Sequence, residues 1–428
     1  MRVLSTERAS RQEVTALLRR SLALDDAEIE SRVRAILHDV ASRGDNALRE
    51  YTARFDGVQL THLEVTPEEL EQAWAEVSPP VAEALRLAAT RIRRFHEHQK
   101  RTSWFEVDEH GGLVGQMITP LRRVGVYVPG GLAVYPSSVL MCAIPAQVAG
   151  VEEIILCTPP RKDGTVHPLV LVAAQEAGVS RIFKVGGAQA IAAMAYGTQS
   201  VPAVDKIVGP GNIYVTVAKK LVYGTVGIDM LAGPSEVCIL ADHTADARYV
   251  AIDMLTQAEH DVHTAAFLIT PSPALAQAVQ EEIDRVLATL PRRDILQQTL
   301  TQNGGILIAR DMDEAVELAN LCAPEHLALM VAEPWRYLPR IRCAGAVLIG
   351  NYSPQSLGDY VAGPSHTLPT SGTARYASPL NVDDFVKKSS VVHFTREALQ
   401  QVAEAIETLA AVEGLEAHLL AAKWRLHD

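Results

Sequence analysis

At 428 residues the chain exceeds one ordinary hydrophobic core, and its length sets an expectation of roughly two to three domains. Its 48% hydrophobic and 21% charged residues are ordinary globular usage, which excludes disorder and coiled coil as first readings. The 39 basic against 51 acidic residues, net -12, argue against nucleic acid or an anionic membrane as the main partner.

The amino terminus, MRVLSTERASRQEV, lacks the apolar core of a signal peptide, and no stretch reaches the ~18 apolar residues of a spanning helix. The expected location is the cytoplasm. Five cysteines, Cys142, Cys157, Cys238, Cys322 and Cys343, are widely spaced, without a C-x-x-C pair and mostly among apolar neighbours. They read as buried free thiols.

The first ~100 residues carry apolar positions three and four apart, such as Ile29, Val33, Ile36 and Leu37, then Val81, Ala84, Leu85 and Ala88, and predict helices. From Arg123 short Val/Ile runs bounded by Gly and Pro alternate with Ala-rich stretches, the pattern of a parallel α/β sheet. Strands are predicted at 124–128, 153–157, 181–185 and 206–208, with helices near 168–177 and 188–196. A second set follows: strands at 237–240, 264–269, 305–309, 326–331 and 346–349, with helices at 246–259 and 273–290. Residues 350–384, rich in Gly, Pro, Ser and Thr, have no periodicity and read as an active-site loop. A short strand at 390–394 and two helices complete the chain; that tail is too short for a domain and is expected to pack on something else, such as a second subunit.

Three Gly-rich turns end predicted strands: Tyr127-Val128-Pro129-Gly130-Gly131, Gly186-Gly187-Ala188-Gln189 and Gly209-Pro210-Gly211-Asn212. The last opens a helix whose N–H groups can face an anion, and ligands of open α/β sheets bind at such strand ends. None is the G-x-G-x-x-G fingerprint. Gln257 and His260, three apart, share one face near a helix end, where two metal ligands could converge; a dipole-compensating or core role is the alternative, as it is for His263. Ala323-Pro324-Glu325-His326 sets a carboxylate beside an imidazole, yet adjacent strand residues face opposite ways, so both serve one site only if Pro324 holds the chain irregular. Asp359 and His366 lie in Gly358-Asp359-Tyr360-Val361-Ala362-Gly363-Pro364-Ser365-His366, either as site residues or as a turn and a surface imidazole.

Taken in order, VGVYVPGG, GPGNIYV, AGPSE, QAEHD, APEHL, GDYVAGPSHTLPTSG and EGLEAH resemble the histidinol dehydrogenase family over some three hundred residues. The resemblance implies an α/β fold: two incomplete Rossmann-like domains with helical N-terminal and C-terminal extensions. The expected division is 1–24 as an N-terminal helical extension, 25–128 with 238–378 as a first domain, 129–237 as a second domain bearing the NAD site, and 379–428 as a tail reaching the partner subunit.

The resemblance also implies one zinc ion per subunit, held by Gln257, His260, Asp359 and His418, the last from the other copy of a homodimer with shared active sites. Glu325 and His326 become the catalytic pair: His326 accepts the alcohol proton as hydride leaves for NAD, and Glu325 activates water for the second oxidation of L-histidinol through L-histidinal to L-histidine. Ser235, His366 and Glu413 match further substrate contacts alongside Gln257, His260, His326, Asp359 and His418. Tyr127, Gln189 and Asn212 match nucleotide contacts. Cys142 and Gln147 depart from the Asn and Lys usual in the family. Nucleic acid and membrane are not expected partners.

Overall fold

The computed structural model describes residues 1–20, 24, 26–130, 134–259 and 261–426. Its strands in chain order are β1 (Arg2–Ser5), β2 (Trp104–Val107), β3 (Leu113–Pro120), β4 (Arg123–Tyr127), β5 (Glu153–Thr158), β6 (Arg181–Lys184), β7 (Lys206–Val208), β8 (Gly227–Ile228), β9 (Glu236–Ala241), β10 (Ala265–Thr270), β11 (Gly304–Ile308), β12 (His326–Met330), β13 (Ala346–Ile349) and β14 (Val386–His393).

The five strands β4 to β8 form a parallel sheet in the order β6-β5-β4-β7-β8. Both faces are covered, so its strands are apolar almost throughout. Val124, Val126, Ile154, Leu156 and Ile182 enter the core built with the helices Pro79–Glu97 and Pro136–Ala149. The alternate residues Tyr127, Ile155, Cys157, Phe183 and Ile207 enter the opposite core, with the helices Ala27–Arg43 and Gly187–Tyr196, as a two-residue period requires.

A second parallel sheet runs β1-β11-β10-β9-β12-β13. Numbered from the first strand of each set, β4 to β8 and β9 to β13 have the same order, 3-2-1-4-5, five of the six strands of a doubly wound sheet. The paired α/β sets read from the sequence are therefore both present.

Three features depart from the expectations. The expected division assigned residues 25–128 to the unit of β9 to β13, yet β4 is the middle strand of the five-stranded sheet and the helices over 27–97 bury their apolar faces against it. The start of the chain is not purely helical: β1 pairs with β11, Arg2 opposite Gly305. Residues 350–384 are not a structureless loop, since they hold the helix Gln355–Tyr360 and 3-10 turns at Thr373–Arg375 and Val382–Phe385. Ser365, Thr367, Thr370 and Ser371 in this stretch are buried. It runs between the sheets, where Thr367 Oγ1 lies 3.4 Å from Cys142 Sγ and Thr370 Oγ1 accepts the Gly233 N–H at 2.6 Å.

The third sheet, antiparallel β14-β3-β2, leaves Phe105, Val107 and Val392 exposed. The chain ends in two helices, Arg396–Val412 and Glu416–Leu426, joined at Gly414, with Leu409, Val412 and Trp424 also exposed. Among the described residues no helix is long and apolar enough to cross a membrane.

Candidate active site

The chemistry lies where the amino-terminal edge of β9 and β12 approaches the carboxyl edge of β4 and β7. Glu325 precedes β12 and His326 begins it. Ala323, ending the helix Met312–Cys322, adopts φ 48°, so Glu325 is outside the regular strand and need not point away from His326. Its Oε2 lies 3.7 Å from His326 Nδ1, and both side chains are almost wholly buried. The irregularity that the adjacent pair required is present, at Ala323 rather than at the expected Pro324.

Glu236, at the start of β9, holds both residues through its backbone: its N–H donates to Glu325 Oε2 at 2.8 Å, and its carbonyl faces His326 Nδ1 at 3.3 Å. A carbonyl only accepts, so Nδ1 carries the proton and Nε2 is left as the basic atom. Nε2 lies 3.4 Å from Asp359 Oδ1. Burial pulls the His326 imidazole down, but the carboxylates of Glu325 and Asp359 outweigh it and hold it above its ordinary value. Burial raises the Glu325 carboxyl, opposed by the His326 imidazole, the Glu236 N–H and the Ser235 hydroxyl. The Glu236 side chain, 1% exposed, takes the Ser371 N–H at 2.9 Å and lies 3.5 Å from Arg20 Nε. Burial pushes its carboxyl up to about 7 despite Arg20.

Asp359 comes from the helix Gln355–Tyr360. Its backbone oxygen accepts from His366 Nδ1 at 2.9 Å, and His366 Nε2 meets Ser138 Oγ at 3.2 Å, so His366 bridges this helix to the start of the helix Pro136–Ala149 rather than lying on the surface. Gln257 lies on the helix Ala247–Ala258, which packs against the Asp359 helix; Glu259 at its end bears on Tyr360. Gln257 is fully buried, yet neither atom of its amide has a hydrogen-bond partner among the described residues. Orphaned buried amides are rare and call for a ligand. That observation fits the metal implied by the resemblance, as does an amide and carboxylate set without thiolates.

His260 lies outside the described residues. His418 and Glu413 are exposed on the carboxyl-terminal hairpin, whose two helices pack chiefly on each other among the described residues. Among those residues no three His, Cys, Asp or Glu side chains gather as a metal cluster.

On the facing edge, Tyr127 Oη accepts the Gly187 N–H at 3.1 Å, with Gln189 buried beside that turn. Asn212 caps the helix Ile213–Val222, its Oδ1 taken by the N–H groups of Tyr214 and Val215, which leaves its amide N–H groups for a ligand. Gly209, at φ 115°, passes so close to the Tyr127 carbonyl that a Cβ would overlap it. This turn follows β7, beside β4, at the point where the strand order reverses and nucleotides bind in doubly wound sheets. A cleft of about 620 Å³ opens past the carboxyl ends of β4 and β5, lined by Phe55, Pro129, Pro159 and Arg161 among others.

Sequence reasoning missed two supports. Glu236 stands in AGPSE, where nothing marks its carboxyl as buried. Lys219 and Asp229 form a buried ion pair that clamps Gly209: Lys219 Nζ donates to its carbonyl at 3.0 Å and Asp229 Oδ2 accepts its N–H at 2.8 Å. Of the two departures, Cys142 is buried against Thr367, and Gln147 accepts from Arg93 at 3.0 Å.

A doubly wound crevice facing a buried acid–base pair is the arrangement of an α/β oxidoreductase. The model of the histidinol dehydrogenase family matches residues 19–426. A histidinol dehydrogenase of Heliobacterium mobile is 54% identical over 405 residues, 94% of this chain and 95% of that protein. One from Oceanobacillus iheyensis is 48% identical over 425 residues, 99% of each. The crystal structure of histidinol dehydrogenase from Elizabethkingia anophelis superimposes with a TM-score of 0.95 at 38% identity, covering 100% of this chain and 98% of that one. The chain belongs to the histidinol dehydrogenase family, and is an oxidoreductase of histidine biosynthesis.

Proposed function

We propose that the chain oxidises L-histidinol to L-histidine through L-histidinal, using NAD and one zinc ion per subunit, as a cytoplasmic homodimer whose active sites are shared between copies. The observation that carries this reading is the buried Glu325–His326 pair against Asp359, whose helix packs on the one bearing the orphaned Gln257 amide. Gln257, His260 and Asp359, with His418 of a second copy, would hold the zinc. Tyr127, Gln189 and Asn212 would contact NAD, and Ser235, His366 and Glu413 the substrate. Bound zinc supplies a Lewis acid that orients the substrate, and NAD a hydride acceptor.

His326 Nε2 takes the alcohol proton in the first oxidation, with Nδ1–H held on the Glu236 carbonyl and the Asp359 carboxylate stabilising the imidazolium. Glu325 then removes a proton from water as it adds to the aldehyde carbon. The His326 imidazolium returns its proton to the former carbonyl oxygen as the gem-diol forms, and the neutral imidazole then takes the gem-diol proton in the second oxidation. Burial of both groups keeps the aldehyde from stray amines and bulk water between steps.

Purified protein given histidinol and NAD should form about two NADH per histidine, because each hydride carries two of the four electrons. A ratio near one, or zinc-loaded protein that forms no NADH, would contradict the reading.

A further inference from the structure

The buried Glu236 carboxylate is met by a cation from the far end of the sequence. Arg20 follows the helix Arg11–Leu18, whose Val14 and Leu18 share a buried cluster with Phe267 and Ile269 of β10 and Leu307 of β11. That anchored helix end delivers the guanidinium to the amino-terminal edge of the second sheet. Its Nε lies 3.5 Å from Glu236 Oε1, and its Nη2 donates to the His263 carbonyl at 2.8 Å. The Ser371 N–H donates to the same Oε1 at 2.9 Å. Among the described residues no other cation forms an ion pair with Glu236. One planar fork therefore ties the start of β9 to the turn that joins the Gln257 helix to β10.

The consequence passes through the backbone. Glu236 holds Glu325 Oε2 with its N–H and faces His326 Nδ1 with its carbonyl, so whatever fixes Glu236 fixes the direction of both side chains. We infer that Arg20 is a positioning residue for Glu325 and His326: its ion pair pins the Glu236 side chain, and the Glu236 backbone in turn aligns the two bases. This rests on the reading of that pair as the acid–base machinery. The pin needs a cation as well as a donor. Burial raises the Glu236 carboxyl, Arg20 opposes the rise, and Glu325 adds to it, so without Arg20 two crowded carboxyls would share a buried place with less to hold either one still. Arg20 also lines a cavity of about 250 Å³, so a shorter side chain at this position meets space already open.

The test is the rate of NADH formation from histidinol in a single turnover, with steady-state KM for NAD, on full-length zinc-loaded protein. Arg20→Met should slow both hydride transfers by roughly 10- to 100-fold, because both bases lose alignment, and should leave KM for NAD near native. Arg20→Lys, which keeps the charge, should recover part of the rate. In a Glu236→Ala background, where the pin has nothing to hold, Arg20→Met should slow the reaction by less than about twofold, which a merely structural role would not produce. Native rates in folded Arg20→Met, or the full loss repeated in the Glu236→Ala background, would overturn the inference. If Arg20→Met does not fold, Arg20→Gln enters the same comparison. A native chain that forms no NADH from histidinol would instead defeat the histidinol reading, a result distinct from an active native chain that is indifferent to Arg20.

Discussion

Glu325 and His326 act as a pair because Ala323, in the left-handed region where the helix Met312–Cys322 ends, sets Glu325 ahead of the strand that His326 begins. If Glu325 activates water only for the second oxidation, Glu325→Gln should still complete the first. In a single turnover it should give about one NADH per site, with histidine formation slowed by roughly 10²- to 10⁴-fold; loss of the first NADH as well would contradict this division of labour. Glu236 makes a separate, stability-level prediction. Its carboxyl, ordinarily 4.5, holds its proton to about 7 in the folded chain. Between those values the folded state binds more protons than the unfolded one, so this contribution favours folding at low pH and is lost as pH rises through about 7. Glu236→Gln cannot titrate, so its stability relative to the native chain should rise by about 3 kcal/mol from about pH 4 to about pH 8. Urea titrations at both values measure this, and parallel pH profiles would contradict it. At this scale the candidate residues Glu325, His326 and Asp359, which the fold brings together, could be picked out because APEHL and GDYVAGPSH set carboxylates and imidazoles in short strings, whereas Glu236 could not, since a carboxylate's burial is written nowhere near it in the chain.

Among elements, the turn after β7 shows how much of a site is support. Gly209 is held at both its N–H and its carbonyl by the Asp229–Lys219 pair, which is almost completely buried. Lys219→Met would leave Asp229 charged and unpaired, and should destabilise the fold by about 3–5 kcal/mol. Replacing both residues with apolar ones should restore much of that stability, while raising KM for NAD more than KM for histidinol because the turn loses its clamp. Denaturant unfolding and steady-state kinetics read the two effects; equal stability of the single and double variants would contradict it. The strands β4 to β7 and β9 to β13 were legible from short apolar runs punctuated by glycine and proline. By contrast β1 holds only Val3 and Leu4 between polar residues, and β8 has only two residues, so neither shows an apolar run bounded by glycine and proline. The helix Gln355–Tyr360 was hidden because it spans only six residues, one of them glycine, in a stretch that otherwise reads as turns.

For the whole molecule, one chain carries Glu325, His326 and Asp359 close together, with Gln257 on a helix packed against that of Asp359, but leaves Glu413 and His418 on an exposed hairpin. That hairpin and the β2–β3–β14 sheet present apolar side chains to solvent, including Val412 at 82% and Val392 at 70% exposure. Exposed apolar surface of this kind marks an interaction site, and a second copy that covers it could bring His418 to the Gln257 helix. The helical tail was legible in the sequence; its destination was not, because contacts between chains leave no periodicity. Mixed dimers test the shared site most directly. Subunits with His326→Asn and subunits with His418→Ala should each be inactive alone. After exchange, each mixed dimer should hold one site with both native residues and recover about half the native activity per dimer; verified exchange with no recovery would contradict a site shared between two copies.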